Sequence, residues 1–334
     1  MTDEKSTATA SHSDLAFTRT DAYDTRAEPT YGGALSFLRR RYSKDLAGVD
    51  VAVVGVPFDL ATTNRPGTRL GPRGIRAASA SLAWCRPYAW DFDPFDRLHV
   101  VDWGDVFFDM GEPHKAPGVI RAQYDRFVAA GVTPLSLGGD HFISYPIIEA
   151  LQARHGPLSL IHFDAHSDTW RDSEGRVDHG TMFFHAQRRG IVDPSRSIQL
   201  GMRTHNDESH GFLVLDARWL HEHGVAAAIE EIRVRIGDAP CYVSFDIDFL
   251  DPAFAPGTGT PVVGGFSTHD ALRLVRGLAG LQVIGMDVVE VSPPYDTAEV
   301  TALAAASVAQ ELLAVLASRQ PFVSRGSLVG STAP

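Results

Sequence analysis

The stretch HFDAHSD, residues 162–168, sets His162, Asp164, His166 and Asp168 at every second position. Alternate side chains of a strand share one face, so all four are expected on one face. Burying carboxylates side by side is too costly unless something positive lies against them. Two further segments carry the same chemistry. GGDH (138–141) contributes His141, and DID (246–248) contributes Asp246 and Asp248, expected on one face at the end of a strand. Two imidazoles and four carboxylates, with no thiolate, suit Mn²⁺ first, then Ni²⁺, Co²⁺ or Zn²⁺. One catalytic zinc uses three or four ligands. The six residues His141, Asp164, His166, Asp168, Asp246 and Asp248 therefore suffice for two divalent ions, which together make water nucleophilic near neutral pH. A lone Asp–His pair is ordinarily a cap or a surface feature. Three such segments, each directly after an apolar run, are not. Asp140 is expected to point away from His141. His162, deeper in its strand, is expected to be a buried, hydrogen-bonded support rather than a ligand.

Elements that could position these residues are visible in the periodicity. Residues 51–56, 98–103, 132–139, 158–165, 197–202, 241–248 and 281–291 read as buried strands. Segments 116–131, 145–156, 226–237, 268–280 and 297–318 have helical spacing. Strand–helix alternation implies an α/β fold, a mostly parallel sheet with helices on both faces. Ligand sites in such sheets lie at the carboxyl ends of the strands. No repeat or long linker interrupts residues 50–318, so a single domain is expected over 31–320. A polar arm precedes it (1–30) and a loose tail follows (321–334).

Composition narrows the function. Asp plus Glu outnumber Lys plus Arg by 41 to 30, a net charge of -11, and no basic block appears, which disfavours nucleic acid as a partner. Arg39–Arg41 is expected on a solvated helix face. Cys85 and Cys241 make no disulfide framework, and the polar N-terminus has no signal-peptide pattern, so a cytoplasmic location is expected. No run of 18 apolar residues occurs, and no membrane span is expected.

The motifs GGDHFISYP, HFDAHSDTW, DHGTMF, SFDIDFLDPAFAPGTGTPVVGG and GMDVVEVSPPYD resemble those of the ureohydrolases, the arginase and agmatinase family. The resemblance runs from about Val51 to Leu316. GVPFDLATTNRPGTRLGP and GFLVLDA are similar to its bacterial agmatinase branch. It implies a single-domain, three-layer α/β/α arginase-like fold and a bridged Mn²⁺ pair held by the six residues above. It also implies hydrolysis of a guanidine to urea and an amine, and homotrimers or homohexamers. His179 in DHGTMF matches the family's active-site histidine, and Glu290 in DVVEVSP the carboxylate that pairs with the guanidinium. Asp168 then has a second task, passing a proton to the leaving amine.

Substrate choice is expected to lie in the loop WRDSEGRVD, 170–178, which lacks an arginase-like SGN stretch. Agmatine is the first choice. Trp170 would pack on an aliphatic or alkylated guanidine. Arg171 and Arg176 would suit the carboxylate tail of 4-guanidinobutyrate. Arg65 and Arg69 are expected to serve their loop or subunit contacts, and Arg203 a structural ion pair. Two other classes remain open: a non-catalytic partner subunit, and a two-metal phosphate-ester hydrolase, whose substrate Glu290 would repel.

Overall fold

The computed structural model describes residues 29–173 and 175–319. The expected arm (1–30) and tail (321–334) lie, but for residues 29 and 30, outside them.

Eight strands form one sheet: β1 (Val51–Val56), β2 (Val100–Asp105), β3 (Thr133–Gly138), β4 (Ser159–Phe163), β5 (Ile198–Leu200), β6 (Leu213–Leu215), β7 (Cys241–Asp246) and β8 (Val283–Val289). Their spatial order is β2-β1-β3-β8-β7-β4-β5-β6, and every pairing is parallel. Among the described residues seven helices cover the sheet: α1 (Gly71–Ser79), α2 (Ala116–Ala130), α3 (Ser144–His155), α4 (Met182–Arg188), α5 (Ala217–Ile236), α6 (Thr268–Gly277) and α7 (Val300–Ala317). Because both faces are covered, strand side chains of both parities are apolar. Val53, Leu135, Phe163 and Phe245 pack with Ile75 of α1, Ile232 of α5, Leu274 of α6 and Leu312 of α7. Ala52, Val54, Leu160 and Tyr242 pack with Phe127 of α2, Leu151 of α3 and Phe183 of α4. This is the three-layer architecture that alternation implied.

Helix α7 is the one described helix long and apolar enough to cross a membrane, and 78% of it is buried inside the protein. It is a core helix, with Ala305, Ala309, Leu312 and Leu313 wholly enclosed.

Some elements depart from the periodicity. Strand β6 is three residues long with Val214 exposed, too short and too wet to register as an apolar run. Helix α1, GPRGIRAAS, is not among the segments with expected helical spacing, because its glycines and proline interrupt the pattern. Its proline sits in the first turn, where no N–H is needed, and Ile75 and Ala78 hold it to the core. Arg39 and Arg40 are not on a solvated helix. Both are buried: Arg39 donates to the Pro29, Gly32 and Ala34 carbonyls, and Arg40 lies 4.0 Å from the Phe95 ring. Local carbonyls and an aromatic face compensate for the water that each guanidinium loses.

Strands β3, β8, β7 and β4 are adjacent in the sheet. Their carboxyl ends carry GGDH, Glu290, DID and DAHSD respectively. Neighbouring strands lie about 4.8 Å apart, so residues as distant in sequence as His141 and Glu290, 149 positions apart, are delivered to one edge. At Gly139 a Cβ would collide with the Val56 and Phe58 carbonyls of the segment leaving β1. Gly139→Ala is therefore expected to destabilise the fold by about 2 kcal/mol, read as a lower urea midpoint with the denaturant slope unchanged.

Candidate active site

Beyond the strand ends the backbone does not stay extended. Strand β4 stops at Phe163, and Asp168 adopts a left-handed φ of 52°. The alternation expected through Asp168 thus gives way to a turn. Asp246 ends β7, while Asp248 lies in a short 3₁₀ turn (Ile247–Phe249), with its N–H donated to Asp246 Oδ1 at 2.8 Å. The two carboxylates are brought together by this cap and not by a shared strand face. His141 opens a similar turn (His141–Ile143).

These turns converge. His141 Nδ1 lies 3.1 Å from Asp164 Oδ2, 3.0 Å from Asp168 Oδ2 and 3.2 Å from Asp246 Oδ2. His166 Nδ1 lies 3.3 Å from Asp164 Oδ1 and 3.1 Å from Asp248 Oδ2. Asp164 thus faces two groups of ligating atoms, one on each oxygen. All six are buried except His166, which is partly so.

The electrostatics show what is missing from a protein-only account. His141 Nε2 is engaged by Ser244 Oγ at 2.7 Å, while its buried Nδ1, surrounded by three carboxylates, makes no hydrogen bond. Burial, then the neighbouring charges of Asp248 and Asp164, push Asp246 well above the usual carboxylate range. Burial and Asp164 push Asp248 the same way. Asp164 goes down, because His162, His141 and His166 outweigh its burial. The carboxylates around His166 outweigh its own burial and raise it to about 12. A site whose carboxylates cannot all ionise alone, and whose two imidazoles are pushed up by those carboxylates despite their own burial, fits divalent cations.

His162 has a different task. Gln199 Nε2 donates to the Ser167 carbonyl (2.7 Å) and to His162 Nδ1 (3.0 Å), so the His162 proton is on Nε2, 2.8 Å from Asp164 Oδ2. His162 therefore braces the carboxylate that both groups share. Gln199 carried no signal in the sequence, because its role exists only through the β4–β5 pairing of His162 with Gln199.

Glu290 directly follows β8, with a left-handed φ of 63°. Its Oε1 accepts from the His141 N–H (2.8 Å) and is 3.0 Å from His179 Nδ1. Its Oε2 is buried and without a partner. A Cβ on Gly259 would come within 3.4 Å of that oxygen. His179 Nε2 receives the Thr63 N–H (3.0 Å) and is 2.8 Å from Thr63 Oγ1. Burial lowers the His179 pKa, but the Glu290 carboxylate more than compensates and lifts it to about 9. The Thr63 N–H opposes that, since a backbone amide only donates and needs Nε2 as an acceptor. This fixed donor decides for the neutral tautomer, with the proton on Nδ1 directed at Glu290.

Asp140, expected to point elsewhere, does have a local role. It accepts from the Phe142 N–H (3.2 Å) and the Ala61 N–H (2.9 Å), pinning the segment after β1. Asn64 Nδ2 ties that segment to the Gly259 carbonyl (2.9 Å). Thr63 and Asn64 had no distinguishing pattern in sequence. Arg69 pairs with Asp59 inside the same loop, and Arg65 lies over the Tyr295 ring. Arg203 makes no ion pair among the described residues. It donates to the carbonyls of Gly201, Asp248, Phe249, Leu250 and Val262, holding the turn that bears Asp248. Thr260, from DPAFAPGTGTP, donates to Asp248 Oδ2 at 3.2 Å.

In the 170–178 loop, Trp170 is half-buried beside the His166 ring, with centroids 6.2 Å apart. Arg171 donates to Glu208, and Arg176 pairs with Asp172 at 3.2 Å; both guanidiniums are largely exposed.

Residues 49–315 match the family model described as the arginase family. The chain belongs to the arginase family. It is 50% identical over 311 residues to an agmatinase of Chromobacterium violaceum, covering 92% of this chain and 97% of that protein. Among solved structures, a hypothetical agmatinase from Burkholderia thailandensis superposes with a TM-score of 0.89 at 53% identity, covering 92% of this chain and 98% of that one. Proclavaminate amidino hydrolase from Streptomyces clavuligerus gives 0.82 at 38% identity, over 87% and 99%. Such likeness over nearly whole chains makes the arginase-like α/β/α fold secure.

Metal-free protein should be stabilised by added Mn²⁺, by about 2.7 kcal/mol at a hundredfold excess over Kd. Asp164→Asn, which alters the carboxylate facing both groups, should remove most of that shift. Thermal unfolding with and without Mn²⁺ checks both.

Proposed function

We propose that this arginase-family protein hydrolyses agmatine to putrescine and urea with two divalent metal ions, Mn²⁺ first and Ni²⁺ or Co²⁺ next. The observation that carries the reading is Glu290 Oε2, a buried carboxylate oxygen left without a partner at the edge of the His/Asp cluster. A planar cation with several N–H donors satisfies it, and an anionic phosphate ester does not.

In this reading His141, Asp164, Asp168 and Asp246 hold one ion, and Asp164, His166, Asp248 and Asp246 surround the other. When bound, the ions supply a water-derived nucleophile near neutral pH and offset developing negative charge. The chain's own residues do the rest. Glu290 Oε2 receives the guanidinium N–H groups, while the His141 N–H and His179 Nδ1–H hold Oε1 and so fix the carboxylate plane. Asp168 takes the proton that the attacking water gives up and hands it to the departing amine nitrogen, which leaves as putrescine. Trp170 lies beside His166, where it can cover an aliphatic chain. Arg171 and Arg176 are engaged by Glu208 and Asp172, which supports an amine tail over a carboxylate tail. The six-residue set and Glu290 are all present, which supports catalysis over a partner-subunit role. Assembly into a homotrimer or homohexamer belongs to the same reading. It is supported by exposed Phe107, Met110 and Leu70 around a surface cavity of about 450 Å³.

Urea release from agmatine, 4-guanidinobutyrate and arginine by Mn²⁺- and Ni²⁺-loaded protein tests the proposal. Agmatine should give the highest kcat/KM. Glu290→Gln should lower it at least a hundredfold, the scale for removing one partner of a buried charge pair. Arg171→Ala should leave it within about twofold, as expected of an exposed ion pair. Preference for the acid, or an Arg171→Ala loss, would contradict the substrate assignment.

A further inference from the structure

The 170–178 loop begins at Trp170 and ends at Asp178, and its two ends meet. The Trp170 N–H donates to the Gly180 carbonyl at 3.1 Å, which shuts the loop at its base. A Cβ on Gly180 would lie 3.2 Å from Trp170 Cε3 and 3.7 Å from Asp178 Oδ1, so the indole edge and the carboxylate border one small space. Each is next to the site. The Trp170 ring faces the His166 ring, and Asp178 directly precedes His179, whose Nδ1 is 3.0 Å from Glu290 Oε1. Trp170 and Asp178 are both half-buried while Glu290 is wholly enclosed, so the pair stands where the site meets solvent.

The loop's other charges cancel. Arg171 is held by Glu208, and Arg176 by Asp172. Asp178 has no cationic partner among the described residues. Its Oδ1 accepts from the Gly180 N–H at 3.0 Å, which fixes the carboxylate in place and leaves Oδ2 without a hydrogen bond among the described residues. A half-buried carboxylate gives up part of its hydration and is best compensated by a cation. An ammonium is a compact cation with three donors, and it needs no planar fork to meet a single carboxylate oxygen.

We propose that Asp178 is a specificity-determining residue that receives the ammonium at the far end of the substrate's chain, while Trp170 covers the methylenes in between. The inference rests on the reading of the protein as an agmatine hydrolase and names the group that selects the tail. A guanidinium held at Glu290 Oε2 directs its alkyl chain outward, past His179 and the Trp170 edge, to Asp178. Asp172 and Glu208 do not compete for the ammonium, because each already faces a guanidinium. A carboxylate tail in the same place meets the Asp178 charge and is repelled.

The test compares urea release by the full-length Mn²⁺-loaded protein from agmatine, from n-butylguanidine, which is agmatine without its ammonium, and from 4-guanidinobutyrate. n-Butylguanidine is also read as a competitive inhibitor of agmatine hydrolysis. Asp178→Asn keeps the oxygen that caps Gly180 and removes only the charge. It should lower kcat/KM for agmatine by roughly ten- to a hundredfold, the scale of a hydrogen bond to a charged group, and leave n-butylguanidine within about twofold. The same variant should raise kcat/KM for 4-guanidinobutyrate. Asp178→Ser, whose hydroxyl can also cap Gly180, decides if the Asn variant does not fold. An agmatine preference that survives the loss of the charge would overturn this inference alone. So would an equal loss on agmatine and n-butylguanidine, which is the signature of a damaged loop. A wild type that releases no urea from any of the three would overturn the hydrolase reading, and this inference with it.

Discussion

The structure is organised around an electrostatic conflict. Four carboxylates and two imidazoles are crowded into one buried edge, close enough that the carboxylates cannot all ionise on their own. Hydrogen bonds reduce the conflict without removing it: His162 braces Asp164, and the Asp246 cap holds the Asp248 turn. What remains is an imidazole nitrogen aimed at three carboxylates and a Glu290 oxygen with no partner. In the proposed reading both are completed by cations, a metal at the first and a guanidinium at the second. The cost of holding such groups together is borne by a sheet buried on both faces, whose core supplies the free energy that the site consumes.

The sheet order explains how so short-ranged a site is built from distant sequence. Strands β3, β8, β7 and β4 are neighbours, so four loops meet at one edge although their residues span 141 to 290. The functional side chains are then aimed by the turns that end the strands. Asp168 and Glu290 both occupy the left-handed region, which non-glycine residues enter at a cost. In each case surrounding contacts hold the conformation: the Asp168 carbonyl accepts from Phe183, and the Glu290 N–H reaches the Gly139 carbonyl.

Much of this was legible in the residues. The inner strands are fully buried, so their apolar runs mark them clearly, and β1 begins and ends where its run does. The candidate ligands stood out because buried charge is rare and here came in three short segments. What the sequence concealed depends on tertiary contact. Alternation placed DAHSD on a strand face, yet the chain turns after Phe163. Arg203 looked like an ion-pairing residue but saturates backbone carbonyls. Gln199 and Ser244 are ordinary residues in apolar strands until the fold sets them beside His162 and His141. Arg171 and Arg176 looked available to a substrate, and only the fold reveals Glu208 and Asp172 against them.

The most direct test of the central claim is anomalous diffraction at the manganese edge from crystals of the Mn²⁺-loaded protein. The account predicts two peaks on either side of Asp164, one beside His141, Asp168 and Asp246, the other beside His166 and Asp248. A single peak, or manganese bound anywhere else with this cluster empty, would contradict it.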